Sequence, residues 1–286
     1  MDNTIPLVTV VIPSYNHEPY VEQAILSVLN QTYINIELIV IDDGSVDNSV
    51  DLIKALSVKH GFRFIAKKNE GLTKTLNMAL DLAKGEYFVP MSSDDIMLLD
   101  RIEKQVQFMR KHPDLAVSAG NMIRIEQDGS PRRNQKFYPE RILTFDDIFE
   151  NRVKGPPAPT LMYIAEELRG IGGYREDILL EDFYTILAIT SKGKKIGVMH
   201  DILAFYRSHP SNTYKNYSYM ADNILKTYAI FADRPNYNKA ISRYLNGMIK
   251  RVSISDKRLA IELLKKVPLQ FYNRKTISGI FRIIFR

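Results

Sequence analysis

Two aspartate pairs, Asp42-Asp43 and Asp94-Asp95, each close an apolar, strand-like run. The first ends Ile39-Val40-Ile41-Asp42-Asp43-Gly44-Ser45; the second ends Tyr87-Phe88-Val89-Pro90-Met91-Ser92-Ser93-Asp94-Asp95. Carboxylates at the C-terminal ends of neighbouring parallel strands fall where open α/β sheets bind ligands. Grouped there, they repel one another unless a cation stands between them, so the spacing points to metal-assisted chemistry. Either pair read alone is an ordinary turn former or helix cap. Recurrence in the corresponding place of a later βα unit is what singles them out.

The first strand-like run leads into Pro13-Ser14-Tyr15-Asn16. It carries no Gly-x-Gly-x-x-Gly, and the chain has no P-loop, so dinucleotide and P-loop triphosphate sites find no support. What stands there instead is an aromatic face with hydrogen-bonding neighbours. The Asp42-Asp43 turn beside it offers an acceptor for the imide N–H of a pyrimidine. An aromatic ring and a carboxylate are what gripping a uracil requires.

The elements that must position these groups alternate regularly. Val8–Ile12, Ile36–Ile41, Phe62–Ala66 and Tyr87–Pro90 read as strands. Between and after them, helical spacing runs through Glu18–Gln31, a segment capped by Asp47, Leu72–Lys84 and Asp100–Lys111. Such alternation predicts a parallel sheet with helices on both faces. After about residue 115 the rhythm breaks. Leu115–Ile125 supplies one or two strands, Gln127–Pro139 a loop, and Gly155–Pro159 a rigid extended connection. Thr160–Ile164 is strand-like, Glu181–Ser191 helical, and Ile196–Tyr206 one or two short strands. Helices dominate from about Asn216.

At 286 residues, 45% apolar and 25% charged, the chain has ordinary globular composition. It has no cysteine, which excludes disulfides and thiolate metal sites. Met1–Pro6 lacks the regions of a signal peptide, and no apolar run approaches a membrane span, so the expected location is cytoplasmic. The net charge of +6 is uneven: residues 239–286 hold 12 Lys and Arg against Asp256 and Glu262. An acidic body with a basic tail argues against nucleic acid as the partner.

The ordered motifs resemble glycosyltransferase family 2, inverting enzymes of the GT-A fold. The matching stretches are Val10–Asn16, Ile25–Tyr33, Glu37–Ser45, Asn69–Leu72 with Leu76-Asn77, Ala83–Tyr87 and Ser93–Asp95. The likeness is dense from about residue 8 to 105 and thinner to about 213. It implies a mostly parallel, Rossmann-like sheet flanked by helices over residues 1–215. The nucleotide half would be about 1–115, the acceptor half about 116–215, and 216–286 a helical basic extension.

By that resemblance Pro13, Tyr15, Asn16, Asp42 and Asp43 hold the nucleotide, and Asp94 lies near the ribose or sugar. Asp95 would ligate a divalent metal, Mn²⁺ or Mg²⁺, bridging the diphosphate. Relatives often place another aspartate ahead of the pair; here Met91 or Ser92 stands there. His209, in Tyr206-Arg207-Ser208-His209-Pro210, resembles the family's late Arg-x-His element and offers a second ligand. Leu76 replaces a frequent arginine, which leaves Lys74 for the diphosphate. Glu181-Asp182 resembles the family's Glu-Asp element, with Asp182 as base and Glu181 as alternative base or orienting neighbour; read alone it is an acidic helix start.

The implied reaction moves a sugar from a UDP-sugar to a saccharide acceptor, lipid-linked, in bacterial surface polysaccharide synthesis such as lipopolysaccharide or capsule. The alternatives are a nucleotidyltransferase and a catalytically silent nucleotide- or glycan-binding module. Residues 271–286 mix Ile277, Ile280, Phe281, Ile283, Ile284 and Phe285 with Arg274, Lys275, Arg282 and Arg286. They read either as a peripheral contact with the anionic inner face of the plasma membrane or as a helix packed on the enzyme.

Overall fold

The computed structural model describes residues 5–210 and 212–285. Met1–Thr4, Ser211 and Arg286, which enter the readings above of the N-terminus, the late histidine segment and the tail, lie outside the described residues. The chain forms two compact units. One takes the chain up to Thr144 together with Pro156–His209; the other takes Phe145–Gly155 and the chain from Pro210 onward.

The first unit follows the βα alternation closely. Its elements begin β1 (Val8–Ser14), α1 (Glu18–Leu29), β2 (Ile36–Asp42), α2 (Ser49–His60), β3 (Arg63–Ala66), α3 (Leu72–Leu82) and β4 (Tyr87–Pro90). The two-residue β5 (Ile96–Met97), α4 (Arg101–Lys111) and β6 (Leu115–Ile125) follow. β7 (Arg141–Leu143), β8 (Met162–Ile164), α6 (Ala165–Gly170), α7 (Glu181–Ser191) and β9 (Lys195–Arg207) complete it, with α5 (Phe145–Phe149) falling to the second unit.

Among the described residues the sheet has nine strands, in the order β3-β2-β1-β4-β8-β6-β9-β5 with β7 also paired to β9. β3, β2, β1 and β4 are parallel, and β8 runs antiparallel between β4 and β6. Central β1 and β4 are buried apolar runs, as strands covered on both faces must be. α1, α2 and α4 turn Ile25, Ile53 and Ile102 onto Val10, Val40 and Val89. Each such buried side chain contributes about 1.5–3 kcal/mol.

β1 extends past its partner β4: the two pair from Val8–Tyr87 to Val11–Pro90, whereas β1 and β2 stay paired to Ser14–Asp42. Pro13 therefore sits where β1 has only one neighbour, and a missing N–H is tolerated there. Leu115–Ile125 is one strand, and Lys195–Arg207 is one strand of 13 residues, because the two pair with each other along their lengths through register shifts.

The second unit is helical, built on α8 (Tyr217–Ala229), α9 (Tyr237–Val252), α10 (Lys257–Lys265) and α11 (Arg274–Phe285). It also recruits Phe145–Gly155, which the sequence reading left inside 1–215. Phe149 stacks on Phe145 and packs against Tyr228 and Phe231. Tyr228 Oη donates to the Phe149 carbonyl at 2.7 Å, and Arg243 Nη1 to that of Glu150 at 2.8 Å. These partners are far away in sequence, so local spacing gave no sign of them.

Candidate active site

The ends of β1, β2 and β4 and of β9 carry the polar groups. Asp42 closes β2 fully buried, and its carboxylate turns back on its own loop. Oδ1 accepts from the N–H groups of Gly44 and Ser45 at 3.1 and 2.8 Å, and Oδ2 accepts the Ser45 hydroxyl at 2.6 Å. Asn16 joins this turn in the left-handed region, φ 52°. Its N–H donates to Ser45 Oγ at 2.8 Å, and its Oδ1 accepts from Val46 N at 2.8 Å. The ring of Tyr15, beside it, is 47% exposed. Pro13, Tyr15, Asn16 and Asp42 are thus adjacent, with Tyr15 presenting a face and Asp42 shaping the floor.

Asp43 has a different task. It pairs with Lys67 and accepts the N–H groups of Glu70 and Gly71 at 3.0 and 2.9 Å. Burial works to raise its pKa, but the Lys67 hydrogen bond and these backbone donors outweigh it and hold the carboxyl below its ordinary value. The clasp sets the start of α3, where Lys74 is exposed, with its Nζ 4.0 Å from Glu70. Leu76, on the same helix, is buried in the core, so an arginine there would bury an uncompensated charge.

The second pair divides its labour. Asp94 Oδ2 stands 2.6 Å from His209 Nε2, and Oδ1 accepts the Ser92 hydroxyl. Burial opposes its ionisation, yet the bonds from His209 and Ser92 and the neighbouring His17 bring its pKa down. His17 completes the group: His17, Asp94 and His209 each offer a ligand atom, all within 4.8 Å of one another. His17 Nδ1 lies 2.7 Å from Ser93 Oγ, a contact that orients the ring. Burial pushes the His17 imidazolium down against the pull of Asp94, which favours the neutral form a metal requires.

Asp95 does not join that group. Its Oδ1 accepts the Arg207 N–H at 2.9 Å, and its Oδ2 is buried without a hydrogen-bond partner. Burial, then repulsion from Asp94, push its pKa well up. Behind it lies fully buried Arg101, held by Gln105, Pro159 O and Leu161 O. The sequence reading placed the metal on Asp95 and His209; the structure turns Asp94 toward His209 and Asp95 toward the backbone of β9.

Arg207 fixes the end of β9. Its guanidinium donates to Asp94 O, Gln127 O and Gln23 Oε1 at 2.7–2.9 Å and lies 5.0 Å from the centroid of the Tyr20 ring. Tyr20 also stacks on His209, with ring centroids 5.6 Å apart. α1, beginning one residue after His17, thereby supports both histidines. His17 was missed in the sequence. The signal available was a histidine between the β1 loop and a Glu-Pro helix start.

Glu181 and Asp182 open α7, half-buried. Burial and the adjacent Asp182 charge push Glu181 up to about 8, and burial raises Asp182 as well. Ahead of them, Asn77 clasps the Gly173-Tyr174 turn: its Nδ2 donates to Tyr174 O at 2.7 Å, and its Oδ1 accepts Tyr174 N–H at 2.8 Å. The family-like Asn77 thus positions the approach to α7.

The donor set of two imidazoles and a carboxylate fits a divalent transition metal, Mn²⁺ among them. A family model described as Glycosyl transferase family 2 matches residues 9–164. A protein of Bacillus subtilis named as a teichuronic acid biosynthesis glycosyltransferase, TuaG, is 33% identical over 72% of this chain and 81% of its own length. An uncharacterized glycosyltransferase of Haemophilus influenzae is 39% identical over 44% of this chain. The aligned stretch spans about half of that relative's length, 51%.

Among solved structures, S. aureus TarS 1–349 in complex with UDP-GlcNAc superimposes with a TM-score of 0.62 at 19% identity. The match covers 96% of this chain and 91% of that one. The mannosyltransferase PcManGT from Pyrobaculum calidifontis, in complex with GDP-Man and Mn²⁺, gives 0.66 at 18% identity, covering 98% and 86%. At these identities the likeness is one of fold, and the fold is the GT-A arrangement.

Proposed function

Since the chain belongs to glycosyltransferase family 2, we propose that it transfers a sugar from a UDP-sugar to a saccharide acceptor, with inversion at the anomeric carbon. The acceptor class we assign is a lipid-linked saccharide of a bacterial surface polysaccharide. The name of the Bacillus relative and the UDP-GlcNAc complex of TarS support this assignment.

The observation that carries the reading is the His17–Asp94–His209 cluster beyond the C-terminal ends of β1, β4 and β9. These three residues would hold the metal. Bound there, a divalent ion supplies positive charge to the diphosphate leaving group. Tyr15 offers its exposed ring to the base, with Pro13 and Asn16 shaping the edge of that surface. Asp42 and Asp43 fix the two loops on which these groups stand. We assign exposed Lys74, in the first turn of α3, to the diphosphate as a further cation.

Asp182 accepts the proton of the acceptor hydroxyl as that oxygen bonds to the anomeric carbon. The bond from this carbon to the diphosphate oxygen breaks, and its electron pair leaves with the diphosphate. Glu181 retains its own proton near neutrality under burial and the Asp182 charge, which leaves Asp182 to act as base.

Incubation with a panel of nucleotide sugars and Mn²⁺ tests the reading by release of the nucleoside diphosphate. The expected result is UDP from one UDP-sugar, lost in Asp182→Asn while UDP binding persists. UDP binding without release from any donor, with a range of saccharide acceptors supplied, would instead fit a silent module.

A further inference from the structure

The last helix of the second unit is apolar on two opposed faces, and only one of them is used. Gly279 lets α11 approach α9 closely: a Cβ there would come 2.7 Å from Ile249 Cγ2. Two polar latches fix the rotation of the helix: Thr276 Oγ1 donates to Asn246 Oδ1 at 2.6 Å, and Arg282 Nη1 donates to Lys250 O at 3.1 Å. Ahead of the helix, Asn246 Nδ2 donates to Phe271 O at 2.8 Å. With that face set, Ile277, Phe281, Ile284 and Phe285 point outward, 64%, 57%, 64% and 67% exposed. Their spacing of four, three and one residues makes one continuous stripe along the helix.

Four large apolar side chains on one stripe are more than scattered surface hydrophobics, and such a patch marks an interaction site. Its surroundings say which kind. Arg274 and Lys275 are exposed in the first turn of α11, and residues 239–286 carry 12 Lys and Arg against two acids. An apolar stripe led by exposed Arg274 and Lys275, in a segment of strongly basic composition, is complementary to an anionic bilayer. The 12 described residues of α11 make about 18 Å of helix, and one packed face with one bare apolar face suits lying in the plane of a bilayer. No helix among the described residues is long and apolar enough to cross a membrane.

We propose that α11 docks this protein on an anionic lipid surface. The stripe Ile277–Phe281–Ile284–Phe285 inserts among the acyl chains, and Arg274 and Lys275 meet the headgroups. The inference stands on α11 alone and does not depend on the donor or acceptor assigned above.

The chain contains no tryptophan, so Phe281→Trp supplies a single reporter at the centre of the stripe. Its emission should shift to the blue with vesicles of phosphatidylglycerol and phosphatidylcholine, and brominated acyl chains should quench it. Vesicles of phosphatidylcholine alone should produce far less of both effects. Flotation of the full chain should fall at least tenfold in Ile277→Asp/Ile284→Asp, and about fivefold for each of Arg274→Ala and Lys275→Ala. Unshifted, unquenched emission on anionic vesicles would overturn the proposal. So would a stripe variant that floats like the wild type, or one whose only change is a smaller mass in sedimentation, which would make the stripe an interface between copies of the chain.

Discussion

His209 Nε2 stands 2.6 Å from Asp94 Oδ2, across 115 positions of sequence. The contact joins the end of β9 to the end of β4, and with His17 it forms a compact set of oxygen and nitrogen donors. Asp95, next in sequence, is committed to the Arg207 N–H instead. Asp94→Asn should therefore weaken Mn²⁺ binding on the order of 10–100-fold or more, since even outer partners of a metal site cost that much. Asp95→Asn, an isostere whose Oδ1 can still accept the Arg207 N–H, should leave affinity within a few-fold. Calorimetric Mn²⁺ titration separates them, and equal losses would return the metal to Asp95.

Glu181 and Asp182 give the protein a defined pH signature. The Glu181 pKa is raised from 4.5 to about 8 by burial and by Asp182. In the folded state it keeps a proton that the unfolded chain has released, so its contribution is fully present below pH 4.5 and is lost as pH rises through about 8. Glu181→Gln keeps the neutral form at every pH. Thermal melts should show wild type losing stability relative to this variant across that window. The acid limb of turnover should stay in place, because Glu181 is already neutral where Asp182 takes up its proton.

Lys67 is the cation that lets Asp43 stay ionised beneath the loop before α3. Breaking a largely buried pair from one side leaves an unpaired charge, so Lys67→Met should cost about 3 kcal/mol in chemical denaturation. The Asp43 pKa is lowered, so the stability it confers is present above the ordinary carboxylate value and lost as pH falls through the lower folded one. That acid-side loss should shrink in the variant. An unchanged denaturation midpoint would show that the two backbone donors suffice.

Gly172 and Gly173 both lie at positive φ, 84° and 71°, but only Gly173 is crowded. A Cβ on Gly173 would come 2.6 Å from Asn77 Oδ1, an atom already engaged by Tyr174 N–H. Gly172→Ala should cost about 1 kcal/mol from backbone strain alone. Gly173→Ala should cost about 2–3 kcal/mol, because the Asn77 clasp must also shift. Turnover should fall further in the second variant, since that clasp leads into α7.

The parallel half of the sheet was readable because strand and helix periods alternate cleanly from Val8 to Lys111. Glu181–Ser191 was likewise recovered to the residue as α7. The second half was not, because β6 and β9 are long strands held by each other and Phe145–Gly155 is claimed by partners beyond residue 227. At the site, the sequence put Asp95 and His209 on the metal and Asp94 near the ribose or sugar, whereas it is Asp94 that contacts His209. Which of two adjacent aspartates faces the histidine depends on the register of β9, fixed by Arg207. His17 escaped notice because a histidine ahead of a helix gives no sign of what its ring will meet. The tail reading left open whether residues 271–286 pack on the enzyme or meet a membrane, because only exposure divides the packed face of α11 from the bare one.

The most direct test of the account is a calorimetric titration of Mn²⁺ into the full chain with UDP present, in wild type and in His17→Ala. The cluster predicts saturable binding in wild type and affinity reduced on the order of tenfold or more in the variant, with circular dichroism unchanged. Equal affinity in the two proteins, or no Mn²⁺ binding in either, would contradict a metal centre built on His17, Asp94 and His209.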